Sequence, residues 1–309
     1  MLHKLLYLTA VSPVHNGSGQ GLGAIDNPIM RQRDTNLPVI QGSSIKGVLR
    51  TEWEPDSVRK SILFGPEPKT ASDDNSAHAG ALCVGDAQLL FFPVRSLRGA
   101  FVWATSPLTL ALYQKLLMFS GIEMPSLDIL LNTIKEKEQF LVCPKGLNEL
   151  KADGKHIILE EYGYDAPKEG EGCQELEDFA EEMADIIFPE MYPSFLKEKF
   201  KKHLVVLPED DFQYFITFST EVTANIRIGD SGATTDGSLR YTEYLLSQSV
   251  LCSLWSIDKG RGGKANNENL ETADSVWAAV EQLAEKNCRV QIGGDATVGK
   301  GLMEMKFHK

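Results

Sequence analysis

An α+β fold is predicted for this chain from three observations. Strand-like and helix-like runs mix without strict βαβ alternation, apolar residues fill 42% of the 309 positions, and no internal repeat is present. That length suits about two average domains, or one core with large insertions. Residues 3–12 read as a first strand, and a Gly-rich loop follows over 15–33. A helix starts at Gly42-Ser43-Ser44, with Ile45, Val48, Leu49 and Trp53 as its buried stripe. Residues 68–80 read as a surface loop, 81–92 and 99–105 as strands. Pro107 opens a helix that turns Leu110, Tyr113 and Leu117 inward. Two helices are expected near 175–188 and 193–202, then a strand over 203–207 and a short helix capped by Asp211 that carries Phe212, Phe215 and Ile216. Residues 221–245 alternate around a Gly/Asp/Thr-rich tip, the pattern of a long β-hairpin. A buried strand near 248–257, a loop over 258–270, a helix at 275–287 and a terminal strand–loop–strand complete the chain.

The formal charge is −12, from 31 Lys+Arg against 43 Asp+Glu, which counts against a generic basic nucleic-acid binder. Position changes that reading. Residues 121–211 hold 22 acids and 10 bases, so the whole deficit lies there and the flanks are neutral. Within it, Leu176, Phe179, Ala180, Met183, Ile186 and Ile187 follow helical spacing, which turns the acids of that helix to water. Five scattered cysteines without a C-x-x-C pair fit a reducing compartment rather than a disulfide framework or zinc cluster. No apolar run reaches membrane-span length, and 5–11 fits a strand better than a signal core. A soluble, cytoplasmic protein is expected.

Three glycine-rich segments carry the chemistry. The loop Gly293-Gly294-Asp295-Ala296-Thr297-Val298-Gly299-Lys300-Gly301 nearly spells a P-loop. It lacks the Ser or Thr after the lysine, and Met303, Met305 and Phe307 alternate as in a strand where a helix should start, so a nucleotide triphosphatase is excluded. Its amides could line a phosphate backbone, or it could be a plain turn. At the second segment, Gly42, Ser43 and Ser44 open a helix whose first amides form an anion site. Lys46 and Arg50 share one face close by, which suits a polyanion. A capped surface helix with two solvated cations is the other reading. The third segment, His15 to Asn27, presents one carboxylate, Asp26, with Arg31 and Arg33 beyond; a turn aspartate is the alternative to a catalyst.

Taken in order, His15-Asn-Gly, Asp26-Asn-Pro-Ile-x-Arg31, Leu37-Pro38 through Gly42-Ser43-Ser44-Ile45-Lys46-Gly47 to Arg50, and Gly293 to Gly301 resemble the RAMP proteins of CRISPR effector complexes. More closely, the chain resembles the repeated backbone subunits of type III-B (Cmr) complexes. The stretch from Arg227 through Leu239, Tyr241, Glu243 and Tyr244 is similar to their thumb hairpin, with Thr242 where a second acid would be expected. The resemblance implies a ferredoxin-like (RRM-like) core with large insertions, including a helical acidic insertion at 121–211 and a protruding thumb at 221–245, all in one domain. It implies crRNA and target single-stranded RNA as partners, together with further copies of the chain in a helical stack and other Cmr-complex subunits, and no membrane. Asp26 takes the position of the cutting aspartate, with a divalent metal, Mg²⁺ or Mn²⁺, required. His15 could act as acid or base, or anchor its loop. Guide binding falls to Gly42, Ser43, Ser44, Lys46, Arg50, Gly293, Gly294, Thr297, Gly299, Lys300 and Gly301. A non-catalytic crRNA scaffold, a type III-A backbone subunit and a guide-processing RAMP endonuclease are the alternatives.

Overall fold

The computed structural model describes residues 1–21, 23–52, 57–66, 78–137, 140–168, 172–188, 194–230, 232–261, 268–286 and 288–308. Trp53, most of the expected loop at 68–80, three of the four residues of the acidic 169–172 run and 262–267 lie outside the described residues.

The central sheet grows outward from β1 (Leu2–Ala10), which pairs antiparallel with β11 (Val250–Ile257) on one side and β13 (Leu302–Phe307) on the other. Beyond β11 lies the long β3 (Leu82–Arg95), also antiparallel, and beyond β13 the short β12 (Arg289–Gln291). In β1 the alternation of a strand sends successive side chains to opposite faces. Leu6, Leu8 and Ala10 enter one core, and Leu5 and Tyr7 enter a second. This accounts for the unbroken apolar run in the sequence. Helix α1 (Gly42–Glu52) connects β1 to β3 by way of β2 (Val39–Ile40) and α2 (Ser57–Phe64), and α9 (Ala273–Lys286) connects β11 to β12 and β13. Both α1 and α9 pack into the first core, through Ile45, Leu49, Val276 and Val280.

The far end of β3 continues the sheet through β4 (Phe101–Thr105), β8 (Leu204–Val206) and β5 (Leu141–Val142), with β4 and β8 parallel. The acidic segment thus contributes strands to the main sheet, which its composition alone did not suggest. It also holds more helices than expected: α4 (Pro125–Lys137) and α5 (Pro144–Leu150) precede α6 (Gln174–Ile187) and α7 (Ser194–His203). With α3 (Pro107–Ser120), α4 and α6 build the second core around Leu110, Leu127, Phe179 and Met183. One acid of α6 departs from the expected solvent face. Glu177 is buried and accepts a hydrogen bond from the Lys145 main-chain amide at 3.1 Å. Helix α8 (Glu209–Phe218) buries Phe212, Phe215 and Ile216 as expected, but its cap is Pro208. Asp211 lies in the first turn instead, where it accepts from the Tyr164 hydroxyl at 3.0 Å. A small two-stranded sheet, β6 (His156–Leu159) and β7 (Tyr162–Asp165), joins the end of β3 through the Ser96–Leu159 bridge. Among the described residues no helix is long and apolar enough to cross a membrane.

Candidate functional site

The hairpin expected at 221–245 is formed by β9 (Glu221–Asn225) and β10 (Arg240–Tyr244), paired from Tyr244–Glu221 to Arg240–Asn225. Its tip closes on itself. Thr235 donates its amide to the Arg227 carbonyl, Gly229 to that of Ala233, and the Arg227 amide reaches the Ser238 hydroxyl at 3.1 Å. Val222, Ile226, Ile228, Leu239 and Tyr241 leave large apolar surfaces in water, Ile228 at 63% exposure. Arg227 and Arg240 are exposed among them. Isolated apolar side chains on a surface are ordinary, but five on one hairpin make it a candidate contact surface.

The segment read as a loop over 15–33 folds back on itself, with Ser18 donating to Pro28 O and Met30 to Asn16 O. Its returning limb then lies beside β10. Asn27 donates its amide to Tyr241 O and accepts from Glu243 N, each at 3.0 Å, so residue 27 forms a parallel bridge with Thr242. The Asn27 amide side chain also reaches the Thr242 hydroxyl at 3.2 Å. Asp26 is thereby set beside the hairpin one pair below its tip, where Tyr241 faces Ala224. One carboxylate oxygen accepts from the Tyr241 amide at 2.7 Å, and the side chain is exposed.

His15 meets the same hairpin and the last glycine loop together. Its Nδ1 donates to the Glu243 carbonyl at 2.8 Å, which leaves Nε2 as the acceptor in the neutral ring. The ring sits edge-on to Tyr244 at 5.6 Å, and its carbonyl accepts from Gly294 N at 2.8 Å. A side chain at residue 17 would meet Nε2 at 2.6 Å, so that glycine lets the ring lie flat against the loop. These bonds anchor His15 to the hairpin and to the last glycine loop.

Tyr244 ties the site to the 293–301 loop. Its hydroxyl donates to Asp295 at 2.7 Å, and burial, then that hydrogen bond, push the phenol up to about 12. Lys300 lies over the Tyr244 ring at 4.6 Å and bonds Glu221 at 2.8 Å, so this cation already has a carboxylate partner. Between them a 3-10 turn over Ala296–Val298 leaves Thr297 and Gly299 exposed. Gly293 and Gly301 both have positive φ. A Cβ at 293 would stand 2.3 Å from the His15 carbonyl, and one at 301 would stand 2.2 Å from that of Ile292. Close backbone approach is enough to require glycine at both positions.

The start of α1 differs from expectation. The Gly42 amide is filled by the Asp86 carboxylate at 2.7 Å, a partner 44 residues away that no local pattern reveals. Gly42 is buried with Val84 O 2.3 Å from where its Cβ would be, while Ser43 stays exposed and Ser44 half-buried. Lys46 donates to the Leu82 carbonyl at 2.8 Å, and burial holds its amine below the usual lysine range. Arg50 donates to the Gly65 carbonyl at 2.6 Å. Both cations serve the protein's own backbone. Glu243, read as a thumb residue, is also turned inward, with its carboxylate on Arg31 at 2.7 Å.

Among the described residues no group of three His, Cys, Asp or Glu side chains is placed to hold a metal ion. With one oxygen on Tyr241, Asp26 could give one ligand to a mostly hydrated Mg²⁺ shared with a polyanion; a resident ion held by protein alone does not fit.

Residues 7–304 match the RAMP superfamily. The chain is 33% identical over 308 residues to the CRISPR system Cmr endoribonuclease Cmr4 of Pyrococcus furiosus, spanning 97% of this chain and 94% of that one. A crystal structure of oligomeric Cmr4 from Pyrococcus furiosus aligns with a TM-score of 0.69 at 29% identity, over 100% of this chain and 98% of its own. A chain of the type III-B Cmr-beta complex bound to cognate target RNA shares the fold, with a TM-score of 0.71 at 20% identity over 99% and 97% of the two chains. With all but the first six and last five residues inside that match, and a relative of one-third identity along nearly its full length, the chain belongs to the RAMP superfamily.

Proposed function

We propose that this chain is the repeated backbone subunit of a type III-B, RNA-guided complex, an endoribonuclease that binds crRNA and cuts complementary target RNA at regular intervals. The likeness to the Cmr endoribonuclease of Pyrococcus furiosus supports it. One observation carries it: the exposed Asp26 carboxylate is fixed by the Tyr241 amide just below the tip of a hairpin whose apolar side chains are bare. A wedge and an acid held together are what cutting beside a splayed base step requires. On this reading 1–309 is one domain, 121–211 its acidic insertion and 221–245 its thumb. The core is ferredoxin-like, a reading supported by the antiparallel order β13-β1-β11-β3 with α1 and α9 as its two connections. Copies stack along the guide in the cytoplasm with other Cmr-complex subunits.

RNA brings its own nucleophile, the 2′-hydroxyl. The exposed side chains of Ile226, Ile228 and Leu239 would enter between bases and turn the sugar so that this hydroxyl lines up with phosphorus and the departing 5′-oxygen. Asp26 then receives the hydroxyl proton or orients it. A divalent ion, when bound by Asp26 and the RNA, supplies charge neutralisation at the phosphate. Arg227, Arg240 and the exposed residues Thr297 and Gly299 offer sequence-independent backbone contacts. Base pairing with the guide supplies specificity.

The test is reconstitution with a guide and a complementary end-labelled RNA. Cuts at one interval, ending in 2′,3′-cyclic phosphate and 5′-hydroxyl, should vanish with Asp26→Ala while guide binding stays. Undiminished cutting by that variant leaves a scaffold as the function. A parallel series with EDTA measures the metal requirement.

A further inference from the structure

We propose that Glu243 is a positioning residue for Asp26: its buried carboxylate fastens the cutting loop to the hairpin, so acid and wedge move as one body. The inference rests on the role of Asp26 proposed above. Glu243 lies on β10, yet it is 3% exposed and both carboxylate oxygens are engaged. Oε2 accepts from the Ile29 amide at 3.0 Å. Oε1 accepts from Arg31 Nη2 at 2.7 Å and from the Thr220 hydroxyl at 2.9 Å. Its main chain adds two more ties, donating to Asn27 O at 3.0 Å and accepting from His15 Nδ1 at 2.8 Å. One residue therefore holds the loop at 15, 27, 29 and 31, and also holds Thr220, where the chain enters β9.

The arrangement separates into two parts with different sensitivity to substitution. The main-chain ties at 15 and 27 survive any side chain at 243. The ties at 29 and 31 depend on a carboxylate, because an amide donor and a guanidinium both need a strong acceptor away from water. Asp26 sits just ahead of the side-chain-dependent end. Removing the carboxylate frees that end while the Asn27–Thr242 bridge keeps the loop on β10. The expected result is slack at Asp26 rather than a lost fold, and slack of an ångström costs about a hundredfold in rate when catalysis is alignment.

Single-turnover cleavage and target affinity are measured on the reconstituted complex. Glu243→Ala should lower the cleavage rate about a hundredfold, with target affinity within roughly threefold of the parent. Glu243→Gln keeps the shape and one acceptor oxygen but not the charge, and should lose about tenfold. Arg31→Ala should match Glu243→Ala, and the double variant should be no slower than either, because both break one linkage. Full-rate cutting by Glu243→Ala overturns the proposal. So does a fall in affinity equal to the fall in rate, or an additive double variant. Should Glu243→Ala fail to enter the complex, Glu243→Gln decides on the same two readouts. Cutting that survives Asp26→Ala removes the proposed function instead; an inert Asp26→Ala beside a fully active Glu243→Ala removes only this inference.

Discussion

Tyr244 shows how much a single side chain does at the junction of three segments. Its ring packs against His15 and under Lys300, and its hydroxyl holds Asp295. With the phenol pushed up to about 12, the donor stays protonated throughout the physiological range, so this contact should not titrate below about pH 11. Tyr244→Phe is expected to cost about 1 kcal/mol of stability, read from the urea midpoint. Gly293→Ala is expected to cost more, about 2–4 kcal/mol, because the new methyl meets the His15 carbonyl and the backbone sits at positive φ. A glycine-rich loop announces close approach, but whether to a phosphate or to the protein's own backbone depends on what packs there. Asp26 was legible because a known motif surrounds it; its tie to Tyr241 spans 215 residues and was not.

Among the elements, those with several turns of apolar period, α3, α6 and α9, stand within a few residues of their expected bounds. Two-residue strands such as β2 and β5 carry no period at all, and their pairing with β3 and β8 is settled by tertiary contact. Helix α1 shows what spacing leaves out. Its spacing of Lys46 and Arg50 suggested a polyanion face, whereas both donate to loop carbonyls. Lys46→Ala with Arg50→Ala should therefore lower the melting temperature, with little change in the salt slope of RNA binding. Helix α7 offers a pH test. Lys199 donates to His203 Nδ1 and to Gly99 O, each at 2.6 Å, while His203 reaches Glu149 from its other nitrogen at 3.1 Å. Burial brings the Lys199 amine down to about 8. The unfolded chain then binds the extra proton between pH 8 and the usual lysine value, so stability from this group rises with pH across that window and is flat below it. Parent protein compared with Lys199→Met from pH 7 to 10.5 should show a difference that closes in the parent's favour above pH 8.

At the scale of the molecule, one strand separates two cores. Because β1 divides its side chains between them, Leu6→Ala and Leu5→Ala should each destabilise by about 2–5 kcal/mol through different neighbours, and together nearly additively. Charge follows a similar division. The acidic surplus belongs to the segment that builds β5, β8 and the helices over the second core, whereas Arg227 and Arg240 stand on the hairpin. Neutralising both arginines should lower the salt slope of RNA binding by about 2. The bonds described for the hairpin have a further consequence. Those of the tip, among Arg227, Gly229, Ala233, Thr235 and Ser238, stay inside the tip, while among the described residues the hydrogen bonds to the body pass through the two strands beneath. The tip is therefore an interchangeable head on a fixed shank. Its sequence can drift, or be replaced by another closed turn, without retuning the acid below, and variants of the wedge can be explored on an unaltered cutting centre.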